Sequence, residues 1–174
     1  MLSSYLYHIS EDPAIKEFIP RPSPSAFNAI KGDVVFAISE KLLHNYYFPR
    51  NCPRVTYYAN EHTTQPDKEK FFIGINAAYV LAIEERWQKA LQETKLYCYK
   101  FLTNDFELLD ECAGYYISYK TIRPIAVNSI ESPYEIIAHR KDIQLNVLPE
   151  IKTLAESVKK STLAFSLIRM KYAL

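Results

Sequence analysis

The side chains best suited to chemistry lie near the start of the chain. His8 lies within the aromatic run YLYHIS of residues 5–10, and Arg21 follows in the proline-rich segment FIPRPSP of residues 18–24. A neutral imidazole acts as a general base near pH 7, and a guanidinium binds phosphate or carboxylate through two parallel hydrogen bonds. Together they predict a site for an anionic ligand. The alternative is a half-buried His8 bonded to a backbone carbonyl and an Arg21 in a surface ion pair.

Three further residues are assigned to the same predicted ligand site. Ser10 ends the motif that contains His8, and Arg50 lies in the segment FPRNCPR. Arg50 would meet an anionic group, with structural pairing to Asp or Glu as the alternative. Tyr57 lies beside Tyr58 on a predicted strand, so one ring of the pair should be core and the other could line a cleft. No catalytic residue is assigned from these patterns.

Composition and charge limit the partners that the chain can have. Of 174 residues, 48% are apolar and 24% are charged, and the net charge is +1. This balance supplies no strong basic field for nucleic acid or an anionic membrane, and no segment approaches the roughly 20 apolar residues of a membrane span. The three glycines form neither GxGxxG nor a Walker loop. We therefore expect one globular domain over residues 1–174, with no membrane and no nucleic-acid partner.

The cysteines and histidines argue against a metal site. Cys52, Cys98 and Cys112 are widely spaced, and no Cys or His spacing matches a zinc motif. The start of the chain lacks the charged and apolar regions of a signal peptide. We expect reduced thiols, no metal ligands and a cytoplasmic location. The cations near Cys52 leave a catalytic thiol as an alternative to a buried inert one.

An α+β arrangement must position these residues. Strands share β-branched, aromatic or continuous apolar composition, and they are predicted at residues 5–9, 33–38, 54–59, 71–75, 96–101, 114–119, 122–127 and 143–148. Helices are predicted at residues 40–47, 76–93, 133–141 and 149–164, and an exposed loop at 60–70. Several strands run consecutively, which favours α+β over a doubly wound sheet. We expect a mixed or antiparallel sheet packed against two longer helices, 76–93 and 149–164.

Six motifs spread over nearly the whole chain carry a family resemblance. They are YHIS (residues 7–10), FIPRPS (18–23), VVFAI (34–38), FPRNCPRV (48–55), AGYYIS (113–118) and FSLIRM (165–170). On these motifs the chain is identified as a member of a small bacterial family of unknown function, best known from Gram-positive species. The resemblance implies single-domain organisation and transfers no activity.

The motif YHIS at residues 7–10 is also similar to the first motif of ADP-ribosyltransferase-like folds, which include tRNA 2′-phosphotransferases and rifampicin-modifying transferases. That resemblance implies that His8 contacts a ribose hydroxyl of NAD, the implied cofactor, and that the chain transfers a group from it. It also implies a ring stacked on nicotinamide, arginines on the pyrophosphate and a late acidic residue. The residues available for these roles are Tyr46, Tyr47 or Tyr57, Arg21 or Arg50, and, by position alone, Glu131 or Glu135.

A non-enzymatic role is the alternative from a different functional class. The chain holds 14 tyrosines, which suit an interface of an interaction protein or a homo-oligomer. An enzyme requires His8, an arginine and an acidic residue to converge in one pocket. An interaction protein requires a broad exposed aromatic patch instead. The sequence therefore leaves open whether the chain is an enzyme, and it names no substrate beyond a nucleotide-like or other anionic small molecule.

Overall fold

The structure, a computed structural model, describes residues 5–24 and 27–174. Ten strands occur in the described residues: β1 (Tyr5–Ser10), β2 (Val35–Ile38), β3 (Arg54–Tyr58), β4 (Tyr79–Glu84), β5 (Leu96–Leu102), β6 (Glu107–Asp110), β7 (Tyr115–Ser118), β8 (Ala126–Ile130), β9 (Ile143–Leu148) and β10 (Ala164–Ile168). The predicted α+β class, with mixed and antiparallel sheets, is confirmed.

The helices in the same part of the chain are short. The α-helices are α1 (Gln65–Phe72), α2 (Gln88–Glu93), α3 (Pro133–His139) and α4 (Lys152–Lys159). The 3-10 helices are Glu40–Tyr46, Glu85–Trp87, Thr103–Asp105 and Met170–Tyr172. Each α-helix has six to eight residues. The expectation of two longer helices, at 76–93 and 149–164, is therefore wrong.

The chain divides into two compact units, each assembled from two segments. Unit 1 comprises Met1–Tyr46 and Lys95–Glu131, and unit 2 comprises Tyr47–Thr94 and Ser132–Leu174. The single domain expected over the whole chain stays a prediction.

Unit 1 is built on an antiparallel six-stranded sheet in the order β6-β7-β2-β1-β5-β8. β1 pairs with β5 along its whole length, from Tyr5 opposite Leu102 to Ser10 opposite Tyr97. Side chains alternate along β1, and Leu6 points to an apolar cluster. That cluster contains Leu6, Phe18, Val35, Ala37, Tyr99, Phe101 and Ile122.

Unit 2 is built on a mixed four-stranded sheet in the order β10-β3-β4-β9, in which only β4 and β9 are parallel. Its strand β4 is buried on both faces. Val80 and Ala82 lie in one apolar cluster, and Leu81 and Ile83 lie in another. A strand covered on both sides carries a continuous apolar run instead of an alternating one.

That double burial explains the largest error of the sequence prediction. Residues 76–93 were expected to form one helix, whereas they form β4, a 3-10 turn and α2. A continuous apolar run of this kind satisfies the helical and the extended pattern equally well.

Three further regions differ from expectation. The loop 60–70 and the strand 71–75 are replaced by α1, and the helix 149–164 ends early and is followed by β10. The strand expected at 122–127 lies at β8, which pairs with β5 and not with β7. Ile122 forms an isolated bridge with Phe18 instead, and β8 begins at Ala126.

In the described residues, no helix has both the length and the apolar character that crossing a membrane requires. The cytoplasmic location stays a prediction.

Candidate functional site

His8 lies where β1 separates from β2. The two strands pair at Tyr7 opposite Ile38, and beyond that point His8 Nδ1 lies 3.0 Å from the carbonyl oxygen of Phe36. Because a carbonyl only accepts, Nδ1 carries the hydrogen, and Nε2 is then the acceptor nitrogen of the neutral ring. The imidazole therefore has a fixed tautomer and orientation. This bond is the structural alternative that the sequence left open for His8.

The segment after β1 is anchored over the ring of His8. Phe18 lies 4.8 Å from the His8 ring, centroid to centroid, and contacts Tyr99 edge-on. The Tyr99 hydroxyl donates to the Asp12 carbonyl at 2.6 Å and accepts from the Ile15 N–H at 3.1 Å. The ordered segment leaves His8 half-buried.

Arg21 and Ser10 are placed differently from His8. Arg21 is exposed, and its backbone pairs with Val34 through two hydrogen bonds of 3.1 and 2.9 Å. Arg21 and Val34 are directly opposed, so their side chains share one face of the sheet. Because side chains alternate along each strand, that face is the opposite one from the face that carries Leu6 and His8. The Ser10 hydroxyl accepts from the Asp12 N–H at 3.1 Å. The convergence of His8 and Arg21 in one pocket stays a prediction, and their positions on opposite faces of the sheet do not favour it.

The remaining predicted ligand contacts lie in unit 2. Arg50 is exposed in the turn that precedes β3. Tyr57 is only 4% exposed and contacts Phe71 and Phe72 edge-on, with ring centroids 5.8 and 5.7 Å away. Burial raises the pKa of the Tyr57 phenol. Tyr57 is thus the core member of the Tyr57 and Tyr58 pair, and a ligand role for it stays a prediction.

Unit 2 also contains a cluster of buried charges. Glu84 is completely buried, and it accepts from Arg86 Nε at 2.8 Å and from the Leu174 N–H at 2.7 Å. Arg54 is 3% exposed, and its Nη1 donates to the Cys52 carbonyl at 2.8 Å. These contacts supply the partners that a buried charge requires, and they serve the fold.

Cys52 is an inert thiol within this cluster. Burial raises its pKa to about 12, although the guanidinium of Arg54 acts in the opposite direction. The thiolate is the nucleophilic form, so Cys52 is almost wholly protonated at neutral pH. The buried inert cysteine, and not the catalytic thiol, is the interpretation that the structure supports.

A groove of about 570 Å³ lies between α1 and α4 in unit 2. Charged side chains and hydroxyls line it: Asp67, Lys70, Lys152, Thr153, Glu156, Ser157, Lys160 and Ser161. We call it the lysine groove. The spacing of four residues on α4 places its lining side chains along one helix face.

The two acidic residues of the lysine groove have partners of their own. The Asp67 carboxylate accepts from the Thr162 N–H at 2.7 Å and from its hydroxyl at 2.6 Å, and these bonds lower the pKa of Asp67. Glu156 accepts from Lys159 Nζ at 2.6 Å, and this bond lowers the pKa of Glu156. Within residues 5–24 and 27–174, by contrast, none of the three lysines forms an ion pair. The three lysines lie within electrostatic range of Asp67, Glu150 and Glu156 without a direct ion pair to them.

The groove was not predicted from the sequence. Lys152, Glu156 and Lys160 follow one another at spacings of four residues within the predicted helix 149–164, and this spacing could have signalled a charged stripe. Lys70 was assigned to a loop. Its helix lies about 80 residues before α4, so only the tertiary structure brings the two together.

No three His, Cys, Asp or Glu side chains are arranged to hold a metal ion within the described ranges. The expectation of no metal ligands stays a prediction.

Comparison with known proteins identifies a family and no activity. The model of a family of unknown function, DUF6886, matches residues 7–173. No curated protein and no solved structure matches the chain.

Proposed function

The chain belongs to DUF6886, a family of unknown function, and we propose that it binds an anionic small molecule of the nucleotide class in the lysine groove of unit 2. The observation that carries the proposal is that Lys70, Lys152 and Lys160 line one concave surface and form no direct ion pair among the described residues. An ammonium is a compact point charge that suits phosphate oxygens.

The spacing of the lysines favours a ligand with more than one anionic group. Lys152 and Lys160 are eight residues apart, which corresponds to about 12 Å along a helix axis. Ser157 lines the groove between them and offers a hydroxyl. A polyphosphate chain carries charge over such a distance, whereas a single phosphate reaches one lysine. We therefore expect nucleoside di- or triphosphates to bind more tightly than inorganic phosphate.

Isothermal titration calorimetry and thermal shift with ATP, ADP, NAD, pyrophosphate and phosphate test this proposal. In the double variant Lys152→Gln with Lys160→Gln, affinity should fall at least tenfold. The control is Lys89→Gln on α2, an exposed lysine that forms a long ion pair with Glu93 at 3.9 Å. A ligand at 100 times its dissociation constant adds about 2.7 kcal/mol of stability. No shift with any anion, or equal affinity in the double variant and the control, would reject the lysine groove as a binding site.

A second candidate function is NAD-dependent group transfer with His8 on the ribose. It is favoured by the bond from Nδ1 to the Phe36 carbonyl, because that bond fixes the orientation of the ring that would contact the ribose. The late acidic residue is the weak point. Glu131 forms an ion pair with Lys95 at 2.7 Å, and Glu135 lies on α3 in unit 2.

Release of nicotinamide from NAD tests this second candidate. His8→Ala should abolish release if His8 holds the ribose. His139→Ala is the matched control, because its Nδ1 also bonds to a backbone carbonyl, that of Glu135, at 2.7 Å on an exposed helix. Absence of release by the wild type, or release that persists in His8→Ala, would remove the transferase hypothesis.

A further inference from the structure

The two outer strands of the unit 1 sheet differ in how they are protected. β6 has the sequence ELLD, with a charge at each end and an irregular register between Leu108 and Asp110. Charges and bulges are the features that prevent an edge strand from pairing with another chain. β8 has the sequence AVNSI, with no charge, no proline and four of its five residues exposed. Its free edge therefore lacks these protections.

Apolar side chains lie exposed along the same edge. Ile125 is 52% exposed and Val127 is 46% exposed. Both carry β-branched side chains, which pair well across strands. Arg123 precedes this stretch and Glu131 follows it, so opposite charges flank an uncharged strand.

We propose that β8 pairs with β8 of a second copy of this chain, antiparallel and in a register centred on Val127. Val127 then faces Val127 of the second copy, and Ala126 faces Asn128. The same register brings Arg123 of each copy to the end of the ladder where Glu131 of the other copy lies. Such a contact is isologous and closes at a dimer, because each copy uses its only β8.

Neighbouring registers lose this charge complementarity. Centring on Ala126 places Arg123 opposite the uncharged Ser129. Centring on Asn128 places Ile125 opposite Glu131. Among these three registers, only the one centred on Val127 sets Arg123 opposite Glu131.

The existing ion pairs of the flanking residues do not prevent this arrangement. Arg123 contacts Glu17, and Glu131 contacts Lys95. The Arg123 and Glu131 side chains are 79% and 65% exposed. Exposed pairs of this kind contribute little, so they exchange partners at low cost.

Sedimentation equilibrium on the full chain tests the interface. The wild type should be a dimer, and Val127→Lys should be a monomer because it sets two like charges opposite each other. Leu108→Lys on β6 is the matched control, 51% exposed in the wild type, and it should stay dimeric. The proposal would be overturned if the wild type were still monomeric after its concentration was raised 100-fold above that of the first measurement. It would also be overturned if Val127→Lys dimerised as well as the Leu108→Lys control.

Charge reversal tests the register. Arg123→Glu and Glu131→Arg should each raise the dimer dissociation constant at least tenfold, and the double variant should restore it. Failure of the double variant to restore dimerisation would reject this register.

A designed disulfide checks the same register independently. Opposed residues have Cα atoms about 4.5–5.5 Å apart, a separation that a disulfide spans. Val127→Cys in a Cys112→Ser background should therefore oxidise to a covalent dimer. Leu108→Cys in the same background should not, and equal crosslinking of both variants would contradict the assignment to β8.

Discussion

Unit 2 buries two charged side chains, Glu84 and Arg54, whereas strand β1 of unit 1 leaves most of its residues half-exposed. Glu84 and Arg54 of unit 2 are 0% and 3% exposed, and every contact given above for them is made within the protein. In unit 1, five of the six residues of β1 are partly exposed, and β8 is open along its edge. A buried charge cannot change partners without a large cost. The comparison therefore assigns fold maintenance to the buried charges of unit 2 and exchangeable contacts to the half-exposed residues of unit 1.

Removing the buried carboxylate of Glu84 should have the largest effect on the free energy of unfolding. Glu84→Ala leaves the Leu174 N–H without its acceptor and removes one of the two acceptors of Arg86, which keeps the Tyr172 carbonyl. Because two hydrogen bonds to a charged group are lost, we expect a loss of about 2–5 kcal/mol in the free energy of unfolding. Glu85→Ala, at the next and exposed position, should change it by less than about 0.5 kcal/mol. Urea denaturation measures both. Equal effects at the two positions would show that burial of Glu84 does not govern its role.

The next largest effect should come from a turn in unit 1. Gly114 has a φ of +69°, and a Cβ there would lie 2.5 Å from Ser39 Oγ and 3.1 Å from a Leu42 methyl group. We expect Gly114→Ala to cost about 2–4 kcal/mol, from left-handed strain and overpacking together. Gly74→Ala in unit 2 has a similar φ of +70° and no atom within 4 Å. Gly74→Ala therefore introduces the backbone strain without the steric overlap. The free energies of unfolding of the two variants should differ by about 1–3 kcal/mol in thermal or urea unfolding.

A smaller effect should follow from loosening the segment over His8. Tyr99→Phe removes the hydroxyl that joins Asp12 and Ile15, and we expect a loss of about 1–3 kcal/mol. Hydrogen exchange at the Ile15 amide should become faster. Tyr119→Phe is the control, because its hydroxyl accepts one long bond of 3.3 Å at the surface. If both variants lose the same stability, the segment is not held in the way described.

At neutral pH the smallest effect should come from the buried thiol of Cys52 and the half-buried thiol of Cys98, because their influence on stability begins only at alkaline pH. Burial raises the pKa of Cys52 in unit 2 to about 12 and that of Cys98 in unit 1 to about 11, whereas an unfolded thiol ionises near pH 8.5. The stabilisation is complete below pH 8.5 and is lost as pH rises toward the folded values. Each thiol should contribute a loss of about 1.4 kcal/mol per pH unit within that window.

Urea denaturation between pH 8 and 10 measures this slope. Cys52→Ala and Cys98→Ala should each reduce it, and Cys112→Ala, which removes an exposed thiol, should leave it unchanged. Labelling at pH 8 should reach Cys112 first. Rapid labelling of Cys52 in the folded protein would contradict its burial.

The elements that the sequence predicted well have one covered face or strong β composition. Residues 5–9 alternate and form β1, and the β-branched and aromatic run after Cys52 forms β3. β4 was missed because both of its faces are covered, so its apolar run has no period that separates strand from helix. α1 was missed because its residues are mostly polar and exposed, which is also the pattern of a loop.

The functional features likewise divide into those that the sequence could predict and those that depend on the tertiary structure. The carbonyl bond of His8 was among the alternatives that the sequence raised, because a lone histidine on a half-buried strand needs a partner. The lysine groove was beyond reach, because Lys70 and Lys160 lie on different elements. The open edge of β8 depends on strand order: β7 and β8 are consecutive in sequence but do not pair.

The division of each unit into two segments has a consequence for synthesis. The chain passes from one unit to the other three times, and Tyr5 pairs with Leu102, almost one hundred residues later. At 5–20 residues per second, β1 leaves the ribosome roughly 5–20 s before β5 exists. During that interval β1 can pair with β2 but not with β5, along which it pairs over its whole length in the folded protein. The nascent chain is therefore most exposed to aggregation while residues 47–94 are being made, and any truncation before residue 96 leaves β1 permanently without its main partner.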